Sequence, residues 1–184
     1  LLTEMLAVYD DTASIGTEFP LDVDLIDRIE FVAGPGSSIY GSNAFFGVIN
    51  VITRSGKAIG GVEVAGSLAY AQTAKGRVTA GGVLDSGLDW ILSATYYDSN
   101  GKDLYFPAFD TPETNNGVAR GLDYDRSASY FGKASWRGWT LEAAWADRKK
   151  GVANGAYGTV FNDPRSYVQD AQGWVDFRYN GPLT

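Results

Sequence analysis

The stretch Asp89-Trp90-Ile91-Leu92-Ser93-Ala94-Thr95-Tyr96 alternates residue by residue between two kinds of side chain. Successive side chains of an extended strand point to opposite faces. Trp90, Leu92, Ala94 and Tyr96 therefore share one face, and Asp89, Ile91, Ser93 and Thr95 share the other. The pattern returns twice. Tyr130, Gly132, Ala134 and Trp136 oppose Ser129, Phe131, Lys133 and Ser135, and Trp139, Leu141, Ala143 and Trp145 oppose Thr140, Glu142 and Ala144. Each of these segments carries two aromatic residues six positions apart, with small or aliphatic residues between them.

Six residues of strand rise roughly 20 Å, a little under the roughly 25 Å apolar band that aromatic girdles bound on membrane-spanning β-sheets. Trp90, Tyr96, Tyr130, Trp136, Trp139 and Trp145 are thus expected to lie as an aromatic girdle at two lipid–water interfaces. The opposite faces, polar or small, suit a wet or filled lumen. A soluble β-sandwich also alternates, but its bulk belongs in mid-strand, where burial is deepest. Here the middles are Ala and Gly, which favours the membrane reading. A soluble β-sheet module that binds a ligand or carbohydrate, or an adhesive one, stands as the alternative; it predicts a complete fold and solubility without detergent.

Working outward, the alternation predicts strands near 61–72, 76–85, 87–98, 126–137, 138–148 and 172–180, each antiparallel to the next. Short turns at Asp85-Ser86-Gly87 and Arg137-Gly138 fall on one side, and long linkers over 99–125 and 149–171 on the other, with one short connection near Thr73 to Lys75. Outer-membrane barrels pair short turns with long loops in this way. Loops carry recognition, so Tyr105, Phe106, Phe109 and Tyr124, set among Asp103, Asp110, Glu113 and Asp123, are the expected ligand-facing residues. The second linker offers Tyr157, Phe161, Asp163, Arg165 and Tyr167.

Composition removes several classes of function. The chain has no cysteine and no histidine, which excludes thiol nucleophiles, CxxC pairs, zinc clusters and Ser-His-Asp triads. No paired-acid cleft stands out, so no catalytic residue, metal ligand or cofactor is expected and the chain is read as a non-enzyme. With 15 basic and 22 acidic residues the formal charge is −7, the wrong sign for tracking nucleic-acid phosphates. No stretch approaches the about 18 apolar residues of a membrane helix.

Before about Gly56 the texture differs. An extended run Asp27-Arg28-Ile29-Glu30-Phe31-Val32 leads into Gly34-Pro35-Gly36, which ends a strand because Pro fixes φ and donates no amide. Gly41 and Gly47 bracket a compact turn that Ser42 can cap, and Val48, Ile49, Val51 and Ile52 make a strand apolar on both faces, as between two layers. The glycine block is no phosphate loop, because Gly41 is followed by Ser42-Asn43 rather than Lys-Ser/Thr. The domain boundary is placed near Lys57 to Gly60, giving regions 1–57 and 58–184.

The whole run from Leu21 to Arg54 resembles the end of the plug domain of TonB-dependent outer-membrane receptors, the siderophore and cobalamin transporters. The family pattern is an ERIEVVRGP strand and turn, then LYGSNAxGGVINIIT, then a basic residue entering the barrel. Arg28, Glu30, Gly34, Pro35, Tyr40, Gly41, Asn43, Gly47, Asn50 and Arg54 carry the match. The resemblance implies a mainly β chain: the end of a mixed α+β plug, then about six antiparallel strands of an incomplete transmembrane barrel that in the family has ~22 strands. It further implies a Gram-negative outer-membrane transporter that binds a large scarce nutrient chelate such as a ferric siderophore, powered through TonB. The TonB box is expected upstream of Leu1. One departure stands out. Ala33 occupies the position of the family's arginine, so Arg28 and Arg54 are expected to hold the plug instead. The implied partners are TonB, the lipid bilayer and the chelate, without nucleic acid, and a sheet with open edges and an apolar face is expected to self-associate in isolation.

Overall fold

The computed structural model describes residues 19–34 and 47–182. It is mainly β. Strands β1 (Ile26–Ala33) and β2 (Gly47–Thr53) pair antiparallel, with Ile29 opposite Val51. A one-turn helix α1 (Gly56–Ile59) follows; Ser55 caps it by accepting from the Ala58 amide at 3.2 Å, and Gly60 closes it in the left-handed region.

Next come β3 (Gly61–Ala69), β4 (Thr73–Val83) and β5 (Asp89–Ser99), then the short pair β6 (Leu104–Tyr105) and β7 (Val118–Ala119), then β8 (Asp125–Trp136), β9 (Trp139–Gly151) and β10 (Tyr167–Tyr179). The six long strands form one antiparallel sheet in the order β10-β9-β8-β5-β4-β3, so each pairs with its neighbour in sequence. The register rests on the turns. Arg137 and Gly138 both take positive φ (47° and 85°), the two-residue hairpin geometry whose twist matches the flanking strands, and this sets Trp136 opposite Trp139. At the other short turn Gly87 takes φ +80° and Leu84 donates to the Leu88 carbonyl at 2.9 Å.

The strands differ from expectation mainly at their long-loop ends. β9 runs on to Gly151 and β10 begins at Tyr167 rather than near 172, pairing Arg148 with Asp170 and Lys149 with Gln169. Charged residues here sit on a ladder, not in a loop, because cross-strand partners satisfy them. The linker 99–125 is also more ordered than its composition implies, holding β6, β7 and two 3-10 turns over Pro107–Phe109 and Pro112–Gly117.

The main core lies between the N-terminal segment and one face of the sheet. Leu21, Leu25 and Val51 pack against Ile91, Phe131 and Ala144, with Phe19, Ile26, Ile59 and Trp174 at the margin. A second cluster sits in the loops. Ala119, Leu122, Ala153 and Phe161 are buried against Leu104, Phe106 and Phe109. No helix among the described residues is long and apolar enough to cross a membrane, which does not bear on strands.

Candidate functional site

The period-two pattern sorts the sheet into two faces. Ile91, Ser93, Phe131, Glu142 and Ala144 are buried on the face that meets the N-terminal segment. The outward face exposes Val64, Leu68, Leu92, Leu141 and Val175. Tyr96, Tyr130, Trp136, Trp139 and Trp145 share that outward face and run from 42 % (Trp136) to 56 % (Tyr96) exposed. Trp90 is half-buried. At the short-turn end Trp139 stacks on Phe177 with ring centres 5.0 Å apart, and Trp136 donates its indole N–H to the Ser86 carbonyl at 3.0 Å.

On the inward face a set of charges fastens the N-terminal segment. Asp22 caps the 3-10 turn Val23–Leu25, accepting from the Asp24 amide at 3.1 Å. Its side chain, 1 % exposed, also takes Lys75 Nζ from β4 and the Thr95 hydroxyl from β5, both at 2.9 Å. Burial works to raise this carboxyl, but the bonds from Lys75, the Asp24 amide and Thr95 outweigh it and leave the group below its usual value. Beside it the buried Arg77 guanidinium lies 3.6 Å from both Asp24 and Glu63 and donates to Thr79. Further along, Thr53 of β2 accepts from Lys133 at 2.9 Å and meets the buried Glu142 at 3.4 Å, while Arg178 lies 3.5 Å from Glu142. A charge buried on a sheet face is tolerable only with partners; here they come both from the N-terminal segment, in Asp24 and Thr53, and from the sheet itself, in Glu63 and Arg178.

The linker is stapled as well. The Asp89 carboxylate accepts the amides of Gly56 (2.7 Å) and Lys57 (3.1 Å). Gly56 lies so close to β4 and β5 that an added Cβ would fall 1.9 Å from the Trp90 carbonyl oxygen.

Of the motif residues, Arg54 reaches the sheet, gripping Glu63 of β3 with both guanidinium nitrogens at 3.0 and 2.7 Å. Arg28 does not, contrary to expectation. It is exposed and pairs within its own strand, with Asp27 at 3.0 Å and Glu30 at 2.8 Å. In the register of the pair it is opposite Ile52, so it shares that residue's face and not the face of the adjacent Thr53. Glu30 also accepts from Asn50 at 3.1 Å, a cross-strand pair that ties β1 to β2. Gly34 takes φ +105° just past β1 and Gly47 opens β2. Pro35, Tyr40, Gly41 and Asn43 lie outside the described residues.

In the loops, Phe109 stacks on Phe161 at 4.2 Å and Phe106 meets it edge-on at 5.8 Å. These two phenylalanines hold the two long loops together. Tyr105 stays exposed, donating to Asp110 at 2.8 Å, and Tyr124 lies half-buried beneath Arg126. Among the described residues no cluster of His, Cys, Asp and Glu is arranged to hold a metal ion.

The chain is similar in part to a known transporter. Over 44 residues the chain is 48 % identical to the vitamin B12 transporter BtuB of Vibrio vulnificus (strain CMCP6). The match covers 24 % of this chain and 7 % of that transporter's length. No family model matches the chain.

Sequence reasoning missed Asp22, Asp24, Lys75, Arg77, Glu142 and Asp89 as docking residues. A signal was present: Lys75, Arg77 and Thr79 share one parity on β4 and Glu142 falls on the polar face of β9, and charges buried on a sheet face require partners.

Proposed function

We propose that this chain is a segment of an outer-membrane active transporter, in which residues up to about 57 end a plug domain and the rest supply the first strands of a transmembrane β-barrel. The observation that carries this reading is the division of labour in one sheet. Its inward face is spent on docking the N-terminal segment through Asp22, Lys75, Arg77 and Glu142, while its outward face exposes an apolar band ended by aromatic residues. A soluble sandwich would cover that band. The partial similarity to a vitamin B12 transporter supports the same class, a binding transporter rather than an enzyme.

In this account the transporter captures a large scarce nutrient, a ferric siderophore or similar chelate, with a corrinoid as the second cargo candidate, and TonB supplies the energy that moves the plug. Tyr105, Tyr124 and the exposed Tyr157 are the cargo-facing aromatics. Phe106 and Phe109 support them from behind. The Asp22 and Arg54 contacts are the grip that plug movement must release.

The test is the full-length protein in cells. Migration that changes on heating, extraction only with detergent, and nutrient uptake lost when TonB is deleted support the reading. A protein recovered soluble without detergent, or uptake indifferent to TonB, overturns it.

A further inference from the structure

The outward face is not a uniform apolar wall. Where β5, β8 and β9 meet, the small residues Ala94, Gly132 and Ala143 form the floor of an open trough of about 940 Å³. Leu92, Tyr130 and Trp145 stand around it, each more than half exposed. The Trp145 ring closes one end by lying across Gly173, where an added Cβ would come within 2.5 Å of it. The lining is almost wholly carbon, and the volume lies within the about 300–1,000 Å³ of ordinary ligand sites.

Further toward the long loops the same face changes character. Tyr130 is opposite Trp145, and four residues beyond them Arg126 is directly opposite Lys149, about 13 Å away at strand rise. Two cations facing each other across a ladder repel. Arg126 leans toward Asp98 at 3.0 Å and over the Tyr124 ring, while Lys149 lies 3.8 Å above the Tyr167 ring and pairs with no carboxylate among the described residues. The neighbouring carboxylate Asp147 is taken by the Gln169 amide at 3.0 Å. A chain with net charge −7 thus sets two cations side by side on its apolar face, beyond the row of Tyr130 and Trp145.

We propose that this face binds one phosphorylated lipid, its phosphate bridging Arg126 and Lys149 and an acyl chain lying in the trough. The proposal rests on the reading that the outward face lies in a bilayer, on the leaflet of the long loops. A bridging phosphate offers acceptor oxygens to both cations at once and removes their repulsion. The trough behind it favours a lipid over free phosphate, because an acyl chain packs against its carbon lining and free phosphate cannot.

The experiment uses the full-length protein purified in detergent, with phosphatidic acid and diacylglycerol of identical chains as probes, read by native mass spectrometry. These lipids differ only in the phosphate. One phosphatidic acid should bind about tenfold or more tighter than diacylglycerol, as charge-assisted hydrogen bonds imply. Arg126→Gln with Lys149→Gln should erase the difference while migration on heating stays unchanged, Ala143→Trp should weaken both lipids, and inorganic phosphate should displace neither. Equal binding of the two lipids, a preference that survives the double substitution, or displacement by inorganic phosphate overturns the proposal. If the protein proves soluble without detergent and takes up neither lipid, it is the membrane reading beneath it that fails.

Discussion

Asp22→Asn isolates the charge that fastens the N-terminal segment to the sheet. The carboxylate is almost fully buried and collects Lys75 and Thr95 at 2.9 Å and the Asp24 amide at 3.1 Å. Asparagine keeps the size and one acceptor oxygen, so the turn's cap survives while the charge and the second acceptor, which takes the Thr95 hydroxyl, are lost. Hydrogen bonds to charged groups contribute about 1.5–3 kcal/mol, and Lys75, 32 % exposed, can turn to water. The lower end applies, about 1.5 kcal/mol, or roughly tenfold in the opening equilibrium. Asp22→Ala removes the cap too, adding about 1 kcal/mol. The assay is hydrogen exchange in the full-length protein at the Leu25 and Arg54 amides, which bond to Asp22 O at 2.9 Å and Leu25 O at 2.8 Å within the same turn. Because the folded-state Asp22 carboxyl titrates below its ordinary value of 3.8, its contribution is complete above that pH and is lost as pH falls through the lower folded value. Protection at both amides, measured against the intrinsic exchange rate at each pH, should therefore fall in acid for the natural protein, and less so for Asp22→Asn. Unchanged exchange in Asp22→Asn at neutral pH would refute the reasoning.

Three further outcomes follow from the geometry. Gly56→Ala forces a methyl to 1.9 Å from the Trp90 carbonyl and 2.7 Å from that of Gly82, and is expected to cost about 1–3 kcal/mol as overpacking, read as a lowered urea midpoint; an unchanged midpoint counts against the close approach of α1. Phe161→Ala removes the ring shared by Phe106 and Phe109 and should cost the loop cluster about 3 kcal/mol, so that protease cuts the long loops while the sheet resists; equal resistance of the loops would speak against the cluster. Arg165→Gln should return the Asp163 carboxyl, held down to about 2 by the Arg165 side chain and amide, toward its ordinary value, visible in an NMR titration of the loop.

The sheet was legible because period-two alternation survives any tertiary context: each of the six strands and the short turns at Gly87 and Gly138 lie close to where the pattern puts them. Strand ends were less so, since Lys149, Lys150 and Asp170 resemble loop residues until their cross-strand partners are known. The loop cluster was illegible for a different reason. Phe106, Phe109 and Phe161 come from two linkers, and nothing local distinguishes an aromatic that holds a loop from one that faces a ligand. The docking charges fall between these cases: the alternation set Glu142 on the polar face, but Asp22 and Asp24 lie in a turn whose position only the folded chain supplies.

The central claim is that one face of this sheet lies in lipid and the other against the N-terminal segment. Nitroxide labels placed one at a time along β5 and β9 of the full-length protein in liposomes, at Leu92, Ala94, Leu141 and Ala143 and at Ser93, Thr95 and Thr140, test it most directly. Outward positions should relax strongly with oxygen and weakly with a water-soluble nickel complex, and the inward ones should show little access to oxygen, giving a two-residue alternation. Outward positions open to the nickel complex, or no alternation along the strands, would contradict the account.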